Sequence, residues 1–337
     1  MHSISETAPT LLLGVDGGNT KTVAVVAKAD GTILGAGRAG RSDIYNTPCE
    51  NDAVQEVQQA VIAATAAAGV TSAAIVSSVF SMAGADWPED VNFLTNNFRE
   101  LALGRSVLVV NDAIGALRAG TPDGIGISIT VGTGIAIGAR NRDGRTWYSG
   151  LWPIAYGGVE LGERALRAVY DAHLGLGPAT SLTDNVIAFF DAVSVEEVLH
   201  RSTARGTDRH WLQQARMAPL LLDAAAQGDE VACAIITEAA IRDADVALIA
   251  ARAVGLDRAP VRCVLSGGVI RHSSGLFEQI IEHQIEAAIP GIEVLHDPPE
   301  PVVGAVLLAA EHAGMGSGEA IRQRLRETMP GASLFAT

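Results

Sequence analysis

Residues 11–31, LLLGVDGGNTKTVAVVAKADG, carry a carboxylate, two glycines and a lysine between two apolar runs. The runs at 11–15 and 23–29 are typical of buried strands, and the residues between them predict a turn. The dipeptide Asp30-Gly31 predicts a second hairpin turn, and TILGAGR after it predicts a third strand. The first glycine turn therefore leads into a strand. Neither a Walker loop nor a dinucleotide-binding fingerprint fits it, because both of those motifs open a helix.

The same order of features recurs in residues 126–150, GISITVGTGIAIGARNRDGRTWYSG. An apolar run precedes a glycine turn, a second run follows, and Asp143-Gly144 predicts the next hairpin. This recurrence predicts a duplicated fold in which each half begins with a three-stranded meander. Chance similarity of two glycine hairpins is the alternative.

After each meander the apolar spacing changes to that of helices and single buried strands. Each half is therefore predicted to be a mixed sheet with flanking helices, an α/β architecture whose ligand would lie in a cleft between two lobes. Further strands are predicted over 73–84, 105–110, 262–270 and 292–299. Helices are predicted over 51–68, 158–173, 213–254, 276–289 and 301–314, with another opening at Asp112. Residues 1–9 and 316–337 are predicted to be loose ends.

The charge balance narrows the choice of partner. The chain has 337 residues and a net charge of -14, which argues against binding to nucleic acid or to an anionic membrane. It does not exclude a phosphorylated ligand, because a metal ion and backbone N–H groups can neutralise phosphate locally. The N-terminal residues lack the pattern of a signal peptide, and we expect a soluble cytoplasmic protein. The three cysteines show no disulfide or zinc spacing.

The glycine turns are suited to phosphate. Gly17 and Gly18 would let the backbone approach an anion closely, and a tight hairpin can present consecutive N–H groups to it. Asp16, at the end of the first strand, could hold a magnesium ion. An ordinary Asp-Gly-Gly turn is the alternative reading. A third glycine turn, Ser266-Gly267-Gly268, follows a buried strand and could accommodate a flat base or a ribose.

Asp112 is the best candidate for chemistry. It follows the apolar run VLVV and opens a helix, so it is expected at the carboxyl end of a strand. A carboxylate there could accept the proton of a hydroxyl group that attacks phosphorus. Asp is also a favoured helix N-cap residue, and the two roles are compatible.

The motifs DGGNTK (16–21), VVNDA (109–113), VGTG (131–134) and SGG (266–268), in this order, resemble the sugar kinase/Hsp70/actin superfamily. Within it, the chain is similar to the BadF/BadG/BcrA/BcrD ATPase family, in its N-acetylglucosamine kinase branch. Local matches at 81–86 (SMAGAD), 177–184 and 301–309 extend the resemblance over about residues 10–315. The resemblance implies two actin-like (ribonuclease H-like) lobes, 1–118 with 300–320 and 119–299.

The resemblance also implies an activity. The expected reaction is transfer of the γ-phosphate of ATP, with Mg²⁺, to a hydroxyl, O6, of N-acetylglucosamine or a related amino sugar. A homodimer is expected, with Asp112 as catalytic base and Asp16 at the metal. ATP contacts are expected from Gly17, Gly18, Asn19, Thr20, Lys21, Thr22, Gly132, Thr133, Gly134, Gly267 and Gly268. Sugar contacts are expected from Ser42, Asp43, Asn46, Gly84, Ala85, Asp86, Asp112 and Glu160.

One stretch departs from the family pattern. N-acetylglucosamine kinases usually carry a G-D-E-G-S-type loop before the helix that follows the second hairpin, and this loop grips sugar hydroxyls. Here the region reads LWPIAYGGVELGERALRAV (151–169), and Glu160 is the carboxylate nearest to the expected place. The alternatives are therefore a kinase for another hexose or hexosamine and a non-catalytic sugar or nucleotide sensor. An ATPase activator of a reductase, also found in the family, would need cysteines grouped for an iron–sulfur cluster.

Overall fold

The computed structural model describes residues 9–205, 211–258 and 260–335. Their strands form two five-stranded sheets. The strands are β1 Leu11–Gly17, β2 Thr22–Lys28, β3 Ile33–Ala39, β4 Ile75–Met82, β5 Ser106–Asn111, β6 Gly126–Val131, β7 Ile135–Arg140, β8 Thr146–Tyr148, β9 Arg262–Ser266 and β10 Glu293–Leu295.

Helices flank both sheets. They are α1 Glu50–Ala68, α2 Pro88–Glu100, α3 Asp112–Gly120, α4 Gly158–His173, α5 Leu182–Phe189, α6 Val195–Thr203, α7 Trp211–Ala215, α8 Ala218–Ala226, α9 Glu230–Val254, α10 Leu276–Ala288, α11 Pro301–His312 and α12 Glu319–Thr328, with 3-10 turns at Ser72–Ala74 and Ala332–Leu334. Within the described residues, no helix has the length and apolar character needed to cross a membrane.

Contacts divide the chain into two compact units. Unit 1 comprises the chain up to Gly126, Ala139–Gly150, and the chain from Pro298 onward. Unit 2 comprises Ile127–Gly138 and Leu151–Asp297. The lobe boundaries at 118/119 and 299/300 stay a prediction from the sequence.

The first sheet has the order β3-β2-β1-β4-β5. The meander β1–β2–β3 is antiparallel, while β1, β4 and β5 run parallel. In this register Gly17 of β1 lies beside Met82 of β4, and Met82 lies beside Asn111 of β5. The carboxyl ends of three neighbouring strands therefore meet at one edge, where ligands commonly bind in α/β sheets.

Both faces of this sheet are buried, which explains the continuous apolar runs in its strands. In β1, Leu11, Leu13 and Val15 face the core that includes α1, and Leu12 faces the core that includes α11. This alternation follows from the two-residue repeat of a strand. On the α11 side, a Cβ at Gly14 would lie 2.5 Å from the backbone nitrogen of Val306, so a larger residue would push α11 away.

The second sheet has the order β10-β9-β6-β7-β8. Strands β6 and β9 are parallel, with Thr130 beside Ser266. The glycine turns that follow these two strands consequently emerge at the same edge of the sheet. The predicted α/β fold with two mixed sheets is confirmed.

Some predicted elements were wrong in extent. The helical stretch at 213–254 is three helices, because Gly228 turns with φ +87 and Pro219 lies in the first turn of α8. The predicted loose end at 316–337 contains α12, whose Leu325 is fully buried. The predicted edge strand at 292–299 is ordered as a strand only over Glu293–Leu295.

Candidate active site

The first hairpin is fastened to the chain segment that follows β3. The N–H of Gly18 donates to the Lys21 carbonyl at 3.0 Å, and the Ser42 N–H donates to the Gly18 carbonyl at 3.1 Å. The buried Thr22 hydroxyl donates to the Gly40 carbonyl at 2.7 Å and lies 2.7 Å from the Ser42 hydroxyl. Thr22 and Ser42, predicted to contact ATP and sugar respectively, therefore bond to each other and set the shape of the hairpin.

Neighbouring residues in this hairpin differ in the room around them. A Cβ at Gly17 would lie 2.5 Å from both the Met82 Cε and the Ser42 Oγ. A Cβ at Gly18 would meet only the Lys21 carbonyl, at 3.7 Å. A side chain at 17 would thus displace the Met82 and Ser42 side chains, whereas position 18 has open space. The Asn19 side-chain oxygen is buried and has no hydrogen-bond partner among the described residues, so it could accept one from a ligand.

Asp16 and Lys21 lie at the base of the hairpin, and other carboxylates lie close to Asp16. Burial, then the charge of Asp112, raises the pKa of Asp16 to about 7, while Lys21 acts in the opposite direction. Glu300, the N-cap residue of α11, adds a further negative charge. The Lys21 amino group donates to the Phe335 carbonyl at 2.6 Å. A role for Glu300 was not predicted from the sequence, although its position before Pro301, at the start of a helix, could have indicated one.

Asp112 is the first residue of α3, at the end of β5. The N-cap is Asn111, whose side-chain oxygen accepts the Ala113 N–H at 3.1 Å. Burial and the nearby Asp43 carboxylate raise the pKa of Asp112 to about 7, against backbone hydrogen bonds that favour its ionised form. Asn111, and not Asp112, is therefore the N-cap residue of α3, the other role that the sequence offered for Asp112.

Asn111 also joins α3 to the loop after β4. Its amide nitrogen donates to the Asp86 carboxylate at 2.9 Å, and the Tyr148 hydroxyl donates to the Asp86 carbonyl at 3.3 Å. Burial and the charges of Asp112 and Asp43 raise the pKa of Asp86 to about 7. Asp86, Asp112 and Asp43 therefore form one acidic cluster, as expected for three predicted site residues.

Asp43 is held by its own loop. One carboxylate oxygen accepts the Tyr45 N–H at 2.9 Å, and the other accepts the Asn46 side-chain amide at 2.8 Å. The Tyr45 hydroxyl donates to Asp90 at 2.9 Å, which ties this loop to the start of α2. Asp90 was not predicted, although an acidic residue in the first turn of a helix after Pro88 is a recognisable capping signal.

Gly84 and Ala85, the remaining predicted sugar contacts in unit 1, are both packed against other parts of the protein. The Ala85 methyl group is fully buried in the core under β1 and β4, so only its backbone is available to a ligand. A Cβ at Gly84 would approach the Asp43 carboxylate to 3.0 Å. Both residues thus shape the loop that carries Asp86.

In unit 2, the turn after β6 and the turn after β9 are neighbours. The Val269 N–H donates to the Val131 carbonyl at 3.0 Å, and Gly267 has φ +101, a conformation that favours glycine. A Cβ at Gly132 or at Gly268 would meet no atom within 4 Å. The space beside both glycines is therefore open, although the Gly132 N–H already donates to the Gly134 carbonyl at 2.9 Å and the Gly132 carbonyl accepts the Gly158 N–H at 2.9 Å.

Thr133 and Glu160 are engaged with the start of α4. The Val159 N–H donates to the Thr133 carbonyl at 3.0 Å, and Glu160 accepts the Gly157 N–H at 2.9 Å as a helix-capping carboxylate. A Cβ at Gly157 would lie 2.5 Å from the carbonyl carbon of Gly134, so the chain before α4 packs directly on the turn.

The two mixed five-stranded sheets with their flanking helices match the actin-like fold. Residues 13–309 match the BadF/BadG/BcrA/BcrD ATPase family, and the chain belongs to that family.

Individual relatives are similar over nearly their whole length. The chain is 29% identical to an N-acetyl-D-glucosamine kinase of Dictyostelium discoideum, over 89% of this chain and 97% of the relative. It is 25% identical to an N-acetylmuramic acid/N-acetylglucosamine kinase of Clostridium acetobutylicum, over 88% and 97% respectively. A solved structure of a candidate N-acetylglucosamine kinase from Chromobacterium violaceum has TM-score 0.67 at 23% identity, covering 89% of this chain and 99% of that one.

Proposed function

We propose that the protein is an ATP-dependent kinase that phosphorylates a hydroxyl of an amino sugar, O6 of N-acetylglucosamine. The observation that carries the proposal is Asp112, a half-buried carboxylate at the carboxyl end of β5 with a pKa of about 7. A general base is most effective when its pKa lies near the working pH. The names of the two curated relatives supply the substrate class.

Asp112 would accept the proton of the attacking sugar hydroxyl. Asp86 and Asp43 would accept hydrogen bonds from other sugar hydroxyls, and Asn111 would hold the Asp86 carboxylate in place through its 2.9 Å bond. Ser42, Asn46, Gly84 and Ala85 complete the sugar contacts that we propose. Glu160 stays in this set, with one of its carboxylate oxygens already bonded to its own helix.

ATP would bind through the backbone of both glycine hairpins. Gly18, Gly132 and Gly268 have open space where a side chain would otherwise lie, which supports close approach of a nucleotide. Lys21 supplies positive charge. The pKa of Asp16, raised by burial and then by the neighbouring carboxylates, fits a position that would favour a bound cation, and hard oxygen ligands suit Mg²⁺. Bound Mg²⁺ would neutralise phosphate charge during transfer.

The test is ADP release from Mg-ATP by purified protein with a panel of sugars. The panel contains N-acetylglucosamine, glucosamine, N-acetylmannosamine, N-acetylmuramic acid, glucose and other hexoses. Strong stimulation by N-acetylglucosamine, and a product that carries phosphate on O6, is the expected result. Stimulation by another sugar alone would replace the substrate. ATP binding without stimulation by any of these sugars would contradict the kinase proposal and favour a sensor.

The same proposal includes a cytoplasmic homodimer, which is an expectation from the family resemblance. Light scattering of the purified protein, with and without ATP, measures the mass directly. A monomer at all concentrations tested would remove the dimer from the proposal without affecting the kinase.

A further inference from the structure

The backbone of residues 156–159, which we call the 156–159 strap, connects a buried carboxylate to the second hairpin. At its carboxyl end, the Gly158 N–H donates to the Gly132 carbonyl at 2.9 Å, and the Val159 N–H donates to the Thr133 carbonyl at 3.0 Å. The carbonyls of the hairpin are therefore fixed by the strap. Because a peptide group is planar, fixing a carbonyl also fixes the direction of the N–H that follows it.

The amino end of the strap is held by two carboxylates. The Tyr156 N–H donates to Asp243 at 2.8 Å, and the Gly157 N–H donates to Glu160 at 2.9 Å. Four consecutive N–H groups thus have defined acceptors, two on carboxylates and two on the hairpin. Glu160 belongs to the helix that the strap enters, whereas Asp243 comes from the middle of α9 and anchors the strap to a different element.

Asp243 is an unusual group to bury. Its side chain is fully inaccessible, and its second carboxylate oxygen has no hydrogen-bond partner among the described residues. Burial, with the charge of Glu160 adding to it, raises the pKa of Asp243 to about 8. A buried, half-satisfied carboxyl is unfavourable for folding. An apolar residue would avoid this cost but would leave the Tyr156 N–H without its acceptor, so the bond to the strap is what the carboxyl contributes.

We propose that Asp243 is a positioning residue for ATP, holding the 156–159 strap and through it the orientation of the N–H groups of Thr133 and Gly134 in the hairpin. The inference rests on the proposed function, because it takes this hairpin to bind the phosphates. Gly157 packs directly on Gly134, so a strap released from Asp243 would shift the hairpin with it. Asp243 itself touches neither phosphate nor sugar in this role.

The test compares Asp243→Leu with Asp243→Asn. Leucine keeps the branching at Cγ, with a larger side chain, and removes the acceptor. Asparagine keeps an oxygen for the Tyr156 N–H and is neutral, as the protonated carboxyl is. We expect the leucine variant to raise the Kd and KM for ATP by about tenfold or more, with the sugar KM unchanged, since small displacements of binding groups have effects of this size. We expect the asparagine variant to stay close to the wild type.

Hydrogen exchange supplies a readout that does not need turnover. Amides of 130–135 and 154–159 should exchange faster in Asp243→Leu and not in Asp243→Asn. The matched control is Asp245→Asn, also on α9, whose native carboxylate accepts from Gln284 at 3.1 Å. That variant should behave as the wild type in both measurements.

Unchanged ATP affinity and unchanged exchange in Asp243→Leu would overturn the inference, as would equal losses in the leucine and asparagine variants. If the leucine variant does not fold, Asp243→Ala carries the same expectation. If the wild type shows no sugar-stimulated ADP release, the kinase proposal fails, whereas ATP binding and exchange still decide the role of Asp243.

Discussion

Adjacent glycines in the first hairpin have different reasons to be glycine. At Gly17 the reason is internal, because Met82 and Ser42 fill the space where a Cβ would be. At Gly18 the protein itself leaves room. Only the second case points to a ligand, and the two can be separated by stability and binding measurements.

We expect Gly17→Ala to destabilise the fold by about 1–3 kcal/mol, the usual cost of overpacking. Gly18→Ala should leave the free energy of unfolding nearly unchanged and should raise the KM for ATP by about tenfold. Urea denaturation and steady-state kinetics on the same two variants check this. A destabilised Gly18→Ala variant with normal ATP use would mean that the open space serves the fold.

Asp112→Asn should lower kcat by about a hundredfold or more, within the range usual for removal of a general base. Asparagine is close in shape to aspartate, so the Kd for ATP should stay within about threefold of the wild type, a small fraction of that loss. Kinetics and calorimetry with the sugar identified in the panel measure both quantities. Near-normal turnover in this variant would remove Asp112 from the mechanism.

The acidic cluster also makes stability depend on pH. The pKa values of Asp16, Asp86 and Asp112 are raised to about 7 from a usual value near 4. The folded state therefore holds more protons than the unfolded state in this window. These groups favour folding below the window, and that contribution is lost as pH rises through 7.

We expect the melting temperature of the ligand-free protein to fall between pH 5 and pH 8, and to fall less in Asp112→Asn. Activity should show the opposite trend, since the base must be ionised to accept a proton. Thermal scans and kcat/KM for sugar over this range test both signs. Equal pH slopes of the melting temperature in wild type and variant would contradict the shifted pKa.

At the scale of elements, periodicity and turn dipeptides predicted both meanders and most long helices. Helix α1 ends at Gly69 with φ 67, as glycine after an amphipathic run indicates. Helix α2, with only three residues buried, was missed because a weakly apolar helix has a weak pattern. Helix α12 was missed for the same reason, since Leu325 is its buried residue.

Leu325 gives that missed helix a measurable role. It is fully buried in the core that includes α11, although it lies beyond the region that matches the family. Leu325→Ala should reduce the free energy of unfolding by about 2–4 kcal/mol. Leu174→Ala, at a residue that is 67% exposed, is the control and should cost less than about 0.5 kcal/mol. Equal effects in the two variants would show that α12 does not seal the core.

At the scale of the whole molecule, the fold was predictable because each meander repeats a local pattern. The positions of Asp16 and Asp112 could also be predicted, because both follow apolar runs that mark the ends of strands. The helix-start positions of Glu300 and Asp90 could also be recognised, but not the residues that they meet. Asp243 could not be predicted, because it reaches Tyr156 from the middle of a helix elsewhere in the chain. A single polar residue on a helix carries no periodic signal, and only the tertiary structure brings it to the site.

The bond from Lys21 to Phe335 joins residues 314 positions apart. Synthesis at 5–20 residues per second separates their appearance by about 15–60 s. Until residues 301–312 have been made, the face of the first sheet that carries Leu12, Val23 and Val25 has no α11 to cover it. The first hairpin is thus among the first parts of the chain to be made and among the last to acquire its final neighbours. A nascent chain stalled before residue 301 would present an apolar sheet face to chaperones.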